Sequence, residues 1–248
     1  MEQQHQFPTE EVTLPSKGLL YPEGSPLRNG TITMKYMTAR EEDILTNQNL
    51  IENGTVIDKL LQSLIVTPID YNELLLGDKN AVLIAARILG YGNDYTFEYN
   101  GETIKVDLTD INDKEFSESL ISNGKNEFTF DLPTTKKTIT FKFLTHGDEQ
   151  AISSELKGLK KLNKNNSAEL STRMKHIITS VDGNYEKSAI REFVDTQLLA
   201  RDSRALRNYI AEIQPDIDLY FDYEDKNGNL TKAPIPINVN FFWPDAGV

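Results

Sequence analysis

Cysteine is the most informative absence from this chain of 248 residues. Without it, disulfide bonds, thiolate ligands for metals and cysteine nucleophiles are all excluded. Histidine is scarce too, since the sequence holds only His5, His146 and His176. None of these has a second ligand at the spacing that a metal site requires. We therefore predict no metal site and no cofactor.

The sequence also lacks long apolar runs and an excess of basic residues. No run approaches the roughly 20 residues of a membrane-spanning helix, and the start, MEQQHQFPTEE, lacks the basic and apolar regions of a signal peptide. Lys and Arg total 26 against 38 Asp and Glu, and the net charge of −12 argues against a general nucleic-acid binder. We expect a soluble protein made in the cytosol, with no membrane or nucleic-acid partner.

Apolar and aromatic residues are plentiful by comparison. The hydrophobic content is 38%, with 11 Phe and 10 Tyr, which is too apolar for a disordered chain. A chain of this length can bury a core for one large domain or for two domains of about 100–120 residues.

An internal duplication is the strongest pattern in the sequence. The segment Thr31-Ile-Thr-Met-Lys-Tyr-Met-Thr38 recurs 107 positions later as Thr138-Ile-Thr-Phe-Lys-Phe-Leu-Thr145, with five of eight residues identical. Three further pairs keep the same order along the chain: Glu11–Leu14 with Glu127–Phe130, Asp78 with Asp202, and Phe97–Tyr99 with Phe221–Tyr223. We interpret the chain as one unit that occurs twice.

Each copy is predicted to run from a β-hairpin through a cluster of helices to a second β-hairpin. The fold class is therefore α+β, with two tandem related modules. Thr38 with Glu41, and Thr145 with Asp148, are typical of capping boxes at helix starts. Asn100-Gly101 is typical of a type I′ hairpin turn. Helices are predicted over 55–66, 81–89 (capped by Asp78), 168–180 and 188–213, with a second turn at 227–228 and a final strand near 235–242.

These elements divide the chain into four parts. Residues 1–30 form an N-terminal arm that includes the first strand and loop, and 11–110 form the first module. Residues 111–124 are predicted to form an amphipathic connector helix, and 125–248 form the second module.

No arrangement of residues predicts catalysis. Gly90-Tyr-Gly92 follows a helix and lacks the Lys-Ser/Thr of a phosphate-binding loop, so we interpret it as a helix C-cap. No serine is marked as activated by a histidine and an acid. We expect a protein that is not an enzyme.

The N-terminal arm is the best candidate for an interface. Its candidate residues are Leu14, Pro15, Lys17, Leu19, Leu20 and Tyr21. The prolines lower the entropy cost of ordering an extended segment on a partner. Two interpretations stay open, because Leu19, Leu20 and Tyr21 can either anchor a partner or close over this chain's own first module.

Two further regions are interface candidates. Lys160 and Lys161 belong to a lysine-rich stretch, and Arg201 and Arg204 belong to an arginine repeat on one predicted helix. These cations either form solvated helix faces or dock onto an acidic neighbouring subunit. At the C-terminal end, Phe242 and Trp243 either end a core strand or anchor a neighbour.

Four motifs of the first module stand in a familiar order and spacing. They are Leu14-Pro-Ser-Lys-Gly-Leu-Leu-Tyr21, Met37-Thr-Ala-Arg-Glu-Glu-Asp43, Gly77-Asp-Lys79 and Arg87-Ile-Leu-Gly-Tyr-Gly92. Over about residues 11–108 the chain thus resembles the baseplate hub family of T-even-like contractile-tailed phages, which holds both a hub subunit and a hub-assembly factor. The second module, including Ile235–Pro244, is similar to the longer marine-phage relatives. Some relatives carry a Cys-x-x-Cys pair where Asn100-Gly101 stands here.

The resemblance implies two functions and no catalytic residues. The first is a structural subunit of the phage baseplate, in or near the central hub, which is assembled in the host cytoplasm and stays in the virion. The alternative is a hub-assembly chaperone that is absent from the mature virion. The expected partners are other baseplate or tail-hub proteins, together with further copies of the chain itself within the assembly.

Overall fold

The computed structural model describes residues 8–121, 124–162, 168–224, 228–237 and 239–242. Within them the chain is mixed helix and strand with small antiparallel sheets, which is the expected α+β class. The strands are β1 Thr9–Thr13, β2 Thr31–Lys35, β3 Asp94–Tyr99, β4 Glu102–Asp107, β5 Phe128–Asp131, β6 Thr138–Phe141, β7 Ile178–Val181, β8 Tyr220–Glu224 and β9 Leu230–Pro234. The helices are α1 Ala39–Leu45, α2 Gln48–Glu52, α3 Val56–Leu64, α4 Leu76–Tyr91, α5 His146–Leu162, α6 Glu169–Ile177, α7 Lys187–Thr196, α8 Ala200–Ile213 and α9 Val239–Phe242.

Each half of the chain begins with an antiparallel hairpin that buries one face. β1 pairs with β2 and places Val12 opposite Ile32, while β5 pairs with β6 and places Phe130 opposite Ile139. Ile32 and Ile139 are both buried in the core. In the second half β7 adds a third strand beside β6, whereas an isolated bridge at Ile65 is its counterpart in the first half.

Both predicted capping boxes are confirmed. At the start of α1, the Glu41 carboxylate accepts hydrogen bonds from the Thr38 backbone N–H at 3.0 Å and from the Thr38 hydroxyl at 2.6 Å. At the start of α5, the Asp148 carboxylate accepts from the N–H and the hydroxyl of Thr145, both at 3.1 Å. Each acid thus ties the end of a hairpin to the first turn of a helix.

The Glu41 carboxylate makes the stability of the fold depend on pH. Burial alone would raise its pKa, but hydrogen bonds from Thr38, Lys35 and Ser63 outweigh burial and lower the pKa of Glu41 from its ordinary 4.5 to about 2. Because the pKa of the folded state is the lower one, Glu41 stabilises the fold above about pH 4.5, and this contribution disappears as the pH falls toward 2.

We therefore expect Glu41→Gln to lower the free energy of unfolding at neutral pH, and the deficit to shrink as the pH falls below about 4.5. Urea denaturation at several pH values measures the deficit against the unmodified chain. Glu42→Gln is the matched control, because Glu42 is the exposed neighbour on the same helix. A deficit for Glu41→Gln that stays constant across this range would contradict the prediction.

The predicted turn at Asn100-Gly101 is confirmed, since both residues have positive φ, 51° and 81°. It joins β3 to β4, and the resulting hairpin packs against the β8–β9 hairpin. The ring of Phe97 lies 5.2 Å from that of Phe221, and the ring of Tyr99 lies 5.1 Å from that of Tyr223. These edge-to-face contacts join the two halves through an aromatic cluster.

The segment between the two halves is not the helix predicted over 111–124. Of that segment the structure describes a single 3₁₀ turn at Glu118–Leu120 and an isolated bridge at Asp113. The backbone of 112–114 instead pairs with that of 216–218 through hydrogen bonds of 2.7 and 2.8 Å. Because these backbone groups bond to a distant part of the chain, the amphipathic pattern does not produce a helix.

The prediction of a final strand near 235–242 is also wrong. β9 ends at Pro234, and the chain then reaches the short helix α9, with residue 238 outside the described part. Pro234 and Pro236 lack the N–H groups that a longer strand pairing needs. The predicted turn at 227–228 lies partly outside the described residues.

Three helix boundaries differ from the prediction. The helix expected over 168–180 is α6 followed by β7, because the free edge of β6 pairs with this β-branched segment. The helix expected over 188–213 is divided into α7 and α8. α4 begins at Leu76 rather than near residue 81, so Asp78 lies inside the helix and does not cap it.

Candidate interaction surfaces

The N-terminal arm folds back onto the first half of its own chain. Of the six candidate residues, Leu14, Pro15, Leu20 and Tyr21 are buried, Leu19 is half-buried and Lys17 is exposed. Lys17 pairs with Glu118 at 2.6 Å. The folded chain therefore does not present the four buried residues to a partner.

One buried carboxylate holds the arm in place. Asp78, in the first turn of α4, accepts hydrogen bonds from the Ser16 N–H at 2.9 Å, the Ser16 hydroxyl at 2.7 Å and the Tyr21 hydroxyl at 2.6 Å. The Tyr21 oxygen in turn accepts from the Leu75 N–H at 3.0 Å. The hydrogen bonds from Ser16 and Tyr21 lower the pKa of Asp78, but burial raises it by more, so the pKa lies above its ordinary value. Burial also raises the pKa of Tyr21, so its hydroxyl stays protonated and donates.

The loop of the arm closes tightly on itself. Gly18 and Gly30 both have a φ of +74°, and a Cβ at Gly18 would lie 2.4 Å from the carbonyl oxygen of Arg28. One guanidinium nitrogen of Arg28 donates to the carbonyls of Leu19 at 2.8 Å and Tyr21 at 3.1 Å. The arm is thus a compact loop in the folded chain, rather than an extended segment.

A second buried carboxylate plays the same part in the other half. Asp202 accepts hydrogen bonds from the N–H groups of Thr134 at 2.7 Å and Thr135 at 3.0 Å, which lie in the β5–β6 turn. Burial would raise the pKa of Asp202, but the hydrogen bonds from both threonines outweigh it and lower the pKa. Asp78 and Asp202 are each the third residue of their helix, α4 and α8 respectively.

Three of the residues that these aspartates bind, Ser16, Thr134 and Thr135, were not among the candidates from the sequence. Leu14-Pro-Ser16 recurs as Leu132-Pro-Thr134, and the N–H of the hydroxyl residue after each proline donates to an aspartate. The repeat was visible in the sequence. Aligning Glu11–Leu14 with Glu127–Phe130 placed the strands two residues out of the register that the hairpins have, and so concealed it.

Leu20 provides a test of the arm's contribution to the fold of the free chain. Its side chain is 3% exposed, so Leu20→Ala is expected to lower the free energy of unfolding by about 2–4 kcal/mol. Leu230→Ala is the control, because Leu230 is 77% exposed. Urea denaturation of the isolated proteins measures both. Equal stability of the two variants would contradict the core role and favour an arm that anchors a partner.

The resemblance motif at 87–92 also has a structural role. Arg87 is 2% exposed, and its guanidinium donates to the carbonyls of Gly92 at 2.7 Å and Asp94 at 3.0 Å. Gly92, with a φ of +82°, follows the last residue of α4 as its C-cap. The Phe241 ring lies 6.0 Å from this guanidinium. Of the C-terminal candidates, Phe242 is buried and Trp243 lies outside the described residues.

The basic candidates of the second half lie on the surface. Lys160 and Lys161 are near the end of α5, and Arg201 and Arg204 are near the start of α8; all four are exposed. None of them forms an ion pair within the part of the chain that the structure describes. Unpaired exposed cations of this kind can attract an acidic surface.

A surface cavity of about 300 Å³ lies beside α6 and α7. Its basic lining residues are Lys142, Lys175, His176, Lys187 and Arg191. Most of their charge is already neutralised, because Lys142 pairs with Asp148, Lys175 with Asp195 and Arg191 with Glu155, at 2.7, 2.7 and 2.9 Å. The cavity therefore has little charge left to select an anion.

Within the described ranges, no group of three metal-ligating side chains converges. No helix in those ranges is long and apolar enough to cross a membrane. Compared with protein-family models, with curated proteins and with solved structures, the chain matches none of them.

Proposed function

We propose that this chain is a non-enzymatic structural subunit of the baseplate of a contractile-tailed phage, in or near the central hub. One observation supports this most. Ser16 and Tyr21 from the first resemblance motif bind Asp78 from the third, so motifs far apart in sequence form one buried hydrogen-bonded cluster. Motifs that build the fold suit a protein whose role is to hold a shape within an assembly.

We also propose that the chain is a tandem duplication of one module. Two tertiary contacts that recur at matching positions support this. In each half an aspartate in the first turn of a later helix binds the loop of the first hairpin. In each half a lysine at the end of that hairpin also pairs with the acid of the capping box. The repeated pairs are Ser16–Asp78 with Thr134–Asp202, and Lys35–Glu41 with Lys142–Asp148.

In this proposal the chain works through contacts with other baseplate or tail-hub proteins in the virion. Two related modules can face two different environments of a symmetric assembly. The exposed, unpaired candidates Lys160, Lys161, Arg201 and Arg204 all lie in the second half. That half would therefore face the more acidic of the two neighbours.

Quantitative mass spectrometry of purified mature phage particles tests the proposal, with this chain scaled against the tail sheath subunit. We expect a fixed, small number of copies per particle. Lys160→Glu combined with Lys161→Glu should reduce incorporation, whereas Lys59→Glu, which changes an exposed lysine of the first half, should not.

The virion role would be overturned if the chain were absent from mature particles. Its presence in infected-cell lysate would then identify it as the hub-assembly chaperone. Absence from both would leave no baseplate role.

A further inference from the structure

The two halves of the chain meet through a short antiparallel pairing of backbone. The Leu76 N–H donates to the Leu144 carbonyl at 3.1 Å, and the His146 N–H donates to the Leu74 carbonyl at 2.8 Å. Leu75 therefore lies opposite Thr145 as a pair without direct hydrogen bonds between them. The paired segments come just before α4 in the first half and at the start of α5 in the second.

Side chains reinforce this junction. The Tyr71 ring lies 4.5 Å from the His146 ring, and the Lys79 ammonium group lies 3.3 Å from Nδ1 of His146. Burial lowers the pKa of His146, and the charge of Lys79 lowers it further. The nearby Asp58 raises this pKa, but by less, so the imidazole is neutral at pH 7. Gly147 packs against the Asn72 carbonyl, which a Cβ would approach to 3.1 Å. The junction is buried and specific.

This pairing is head to tail, because the two halves contribute different segments to it. If the halves are copies, each also carries the segment that the other uses. Leu74–Leu76 corresponds to 198–200 before α8, and 144–146 corresponds to 37–39 before α1. A heterologous contact of this kind leaves one unused edge at each end of a tandem pair.

Within the described residues, neither segment forms a strand-like pairing with another segment. We call 198–200 the outer edge of the second half and 37–39 the outer edge of the first. Leu199 is 47% exposed, and Ala39 and Ala200 are exposed. Among the described residues, no hydrogen bond satisfies the N–H of Ala39 or Ala200, or the carbonyl of Met37 or Leu198. These are the four groups that correspond to the bonded groups of the inner junction.

The net charges beside the two outer edges are opposite. Arg201 and Arg204 follow the edge of the second half, and Glu42 and Asp43 follow the edge of the first, where they outnumber Arg40. All four side chains are exposed, and none forms an ion pair within the described part of the chain. Two such surfaces attract one another even in a chain with a net charge of −12.

From this we infer that a second copy of the chain docks head to tail. Residues 37–39 of one copy, the outer edge of its first half, pair with residues 198–200 of the preceding copy, the outer edge of that copy's second half. Ala200 N–H would donate to the Met37 carbonyl, and Ala39 N–H would donate to the Leu198 carbonyl. Repetition closes a ring or extends a filament, depending on the rotation per copy. The inference rests on the proposed duplication and not on the phage role.

The outer pairing lacks the side chains that reinforce the inner one. Asp195, Ser203 and Ala39 stand where Tyr71, Lys79 and His146 lie at the inner junction. Arg40 stands where Gly147 packs closely against Asn72. The outer contact therefore requires the Arg40 side chain to turn toward solvent. Arg40→Gly should strengthen the association for this reason.

Disulfide trapping tests the inference cleanly, because the chain has no cysteine of its own. Leu199 should lie opposite Thr38 of the next copy, as Leu75 lies opposite Thr145, at a spacing that suits a disulfide. We expect a mixture of Thr38→Cys and Leu199→Cys chains to form a covalent dimer under mild oxidation. Thr38→Cys mixed with Leu170→Cys is the control, since Leu170 is also 47% exposed.

The combined variant Leu75→Cys, Thr145→Cys should form a disulfide within one chain, which verifies the register and the oxidation conditions. If this disulfide forms and the Thr38→Cys and Leu199→Cys mixture yields no more dimer than the Leu170→Cys control, the inference is overturned.

Sedimentation velocity of the unmodified chain gives a second, independent readout. The mean mass should rise with concentration, and Leu199→Asp should suppress the rise while Leu170→Asp leaves it unchanged. A monomer at every concentration would also overturn the inference. Neither experiment requires phage particles, so failure here is distinct from absence of the chain from the virion.

Discussion

Asp78→Ala is expected to lower the free energy of unfolding by about 3–4 kcal/mol. The carboxylate is fully buried and accepts from the Ser16 N–H, the Ser16 hydroxyl and the Tyr21 hydroxyl. Its removal leaves buried donors without acceptors, and each such group costs about 1–3 kcal/mol. Urea denaturation of the isolated chain measures the loss.

The same substitution should also release the arm. Lys17, at the exposed tip of the loop, would become a site of rapid tryptic cleavage, because the loop around it has lost its anchor. Asp43→Ala is the matched control, since Asp43 is an exposed aspartate without an ion pair in the described residues. Unchanged stability together with unchanged cleavage at Lys17 would show that Asp78 does not hold the arm.

Gly77→Ala is the second substitution with a large expected effect. A Cβ at Gly77 would lie 1.9 Å from the carbonyl oxygen of Pro215, where the segment after α8 passes the start of α4. The clash is between the backbones of two segments, so it is relieved only if the start of α4 and the segment at Pro215 move apart. Forced overpacking of this kind costs about 1–3 kcal/mol, and we expect the upper end of that range.

Gly158→Ala is the matched control for this prediction. Gly158 lies in α5, is exposed, and has no atom within 4 Å of its added Cβ. In an open helical position alanine is favoured over glycine by about 0.5–1 kcal/mol, so this variant should gain stability. Thermal and urea denaturation compare the two variants. If Gly77→Ala gained stability as Gly158→Ala does, Pro215 would not constrain the position of Gly77.

The position of Gly77 beside Asp78 has a consequence for the resemblance motif Gly77-Asp-Lys79. Asp78 binds the arm, Gly77 admits the segment at Pro215, and Lys79 pairs with Asp58 at 2.6 Å. Each residue of the motif thus contacts a different part of the chain. The motif places α4 against the arm, α3 and the second half at once.

Local signals in the sequence were sufficient for many elements. The capping boxes at Thr38 and Thr145 and the hairpin turn at Asn100-Gly101, which joins the paired strands β3 and β4, were predicted correctly. Each of these depends on residues within a few positions of one another, so neighbouring side chains and backbone φ preferences decide the outcome.

The candidate interface was less accessible to sequence reasoning. An apolar segment such as Leu19–Tyr21 has the same composition whether it covers its own core or a partner. Only the tertiary structure shows that Leu20 and Tyr21 are buried within the chain, because their burial depends on α4 and its Asp78 more than fifty residues away.

By itself, then, the sequence determined the α+β class, the capped starts of α1 and α5 and the turn at Asn100-Gly101, and it contained the repeated pattern from which we propose a duplication. The tertiary structure decided what the connector at 111–124 forms, where α4 begins and what Asp78 and Asp202 bind. The physical reason is the range of the interactions. Caps and turns are satisfied within one segment, whereas a buried carboxylate or a free strand edge takes its partner from whatever the fold brings beside it.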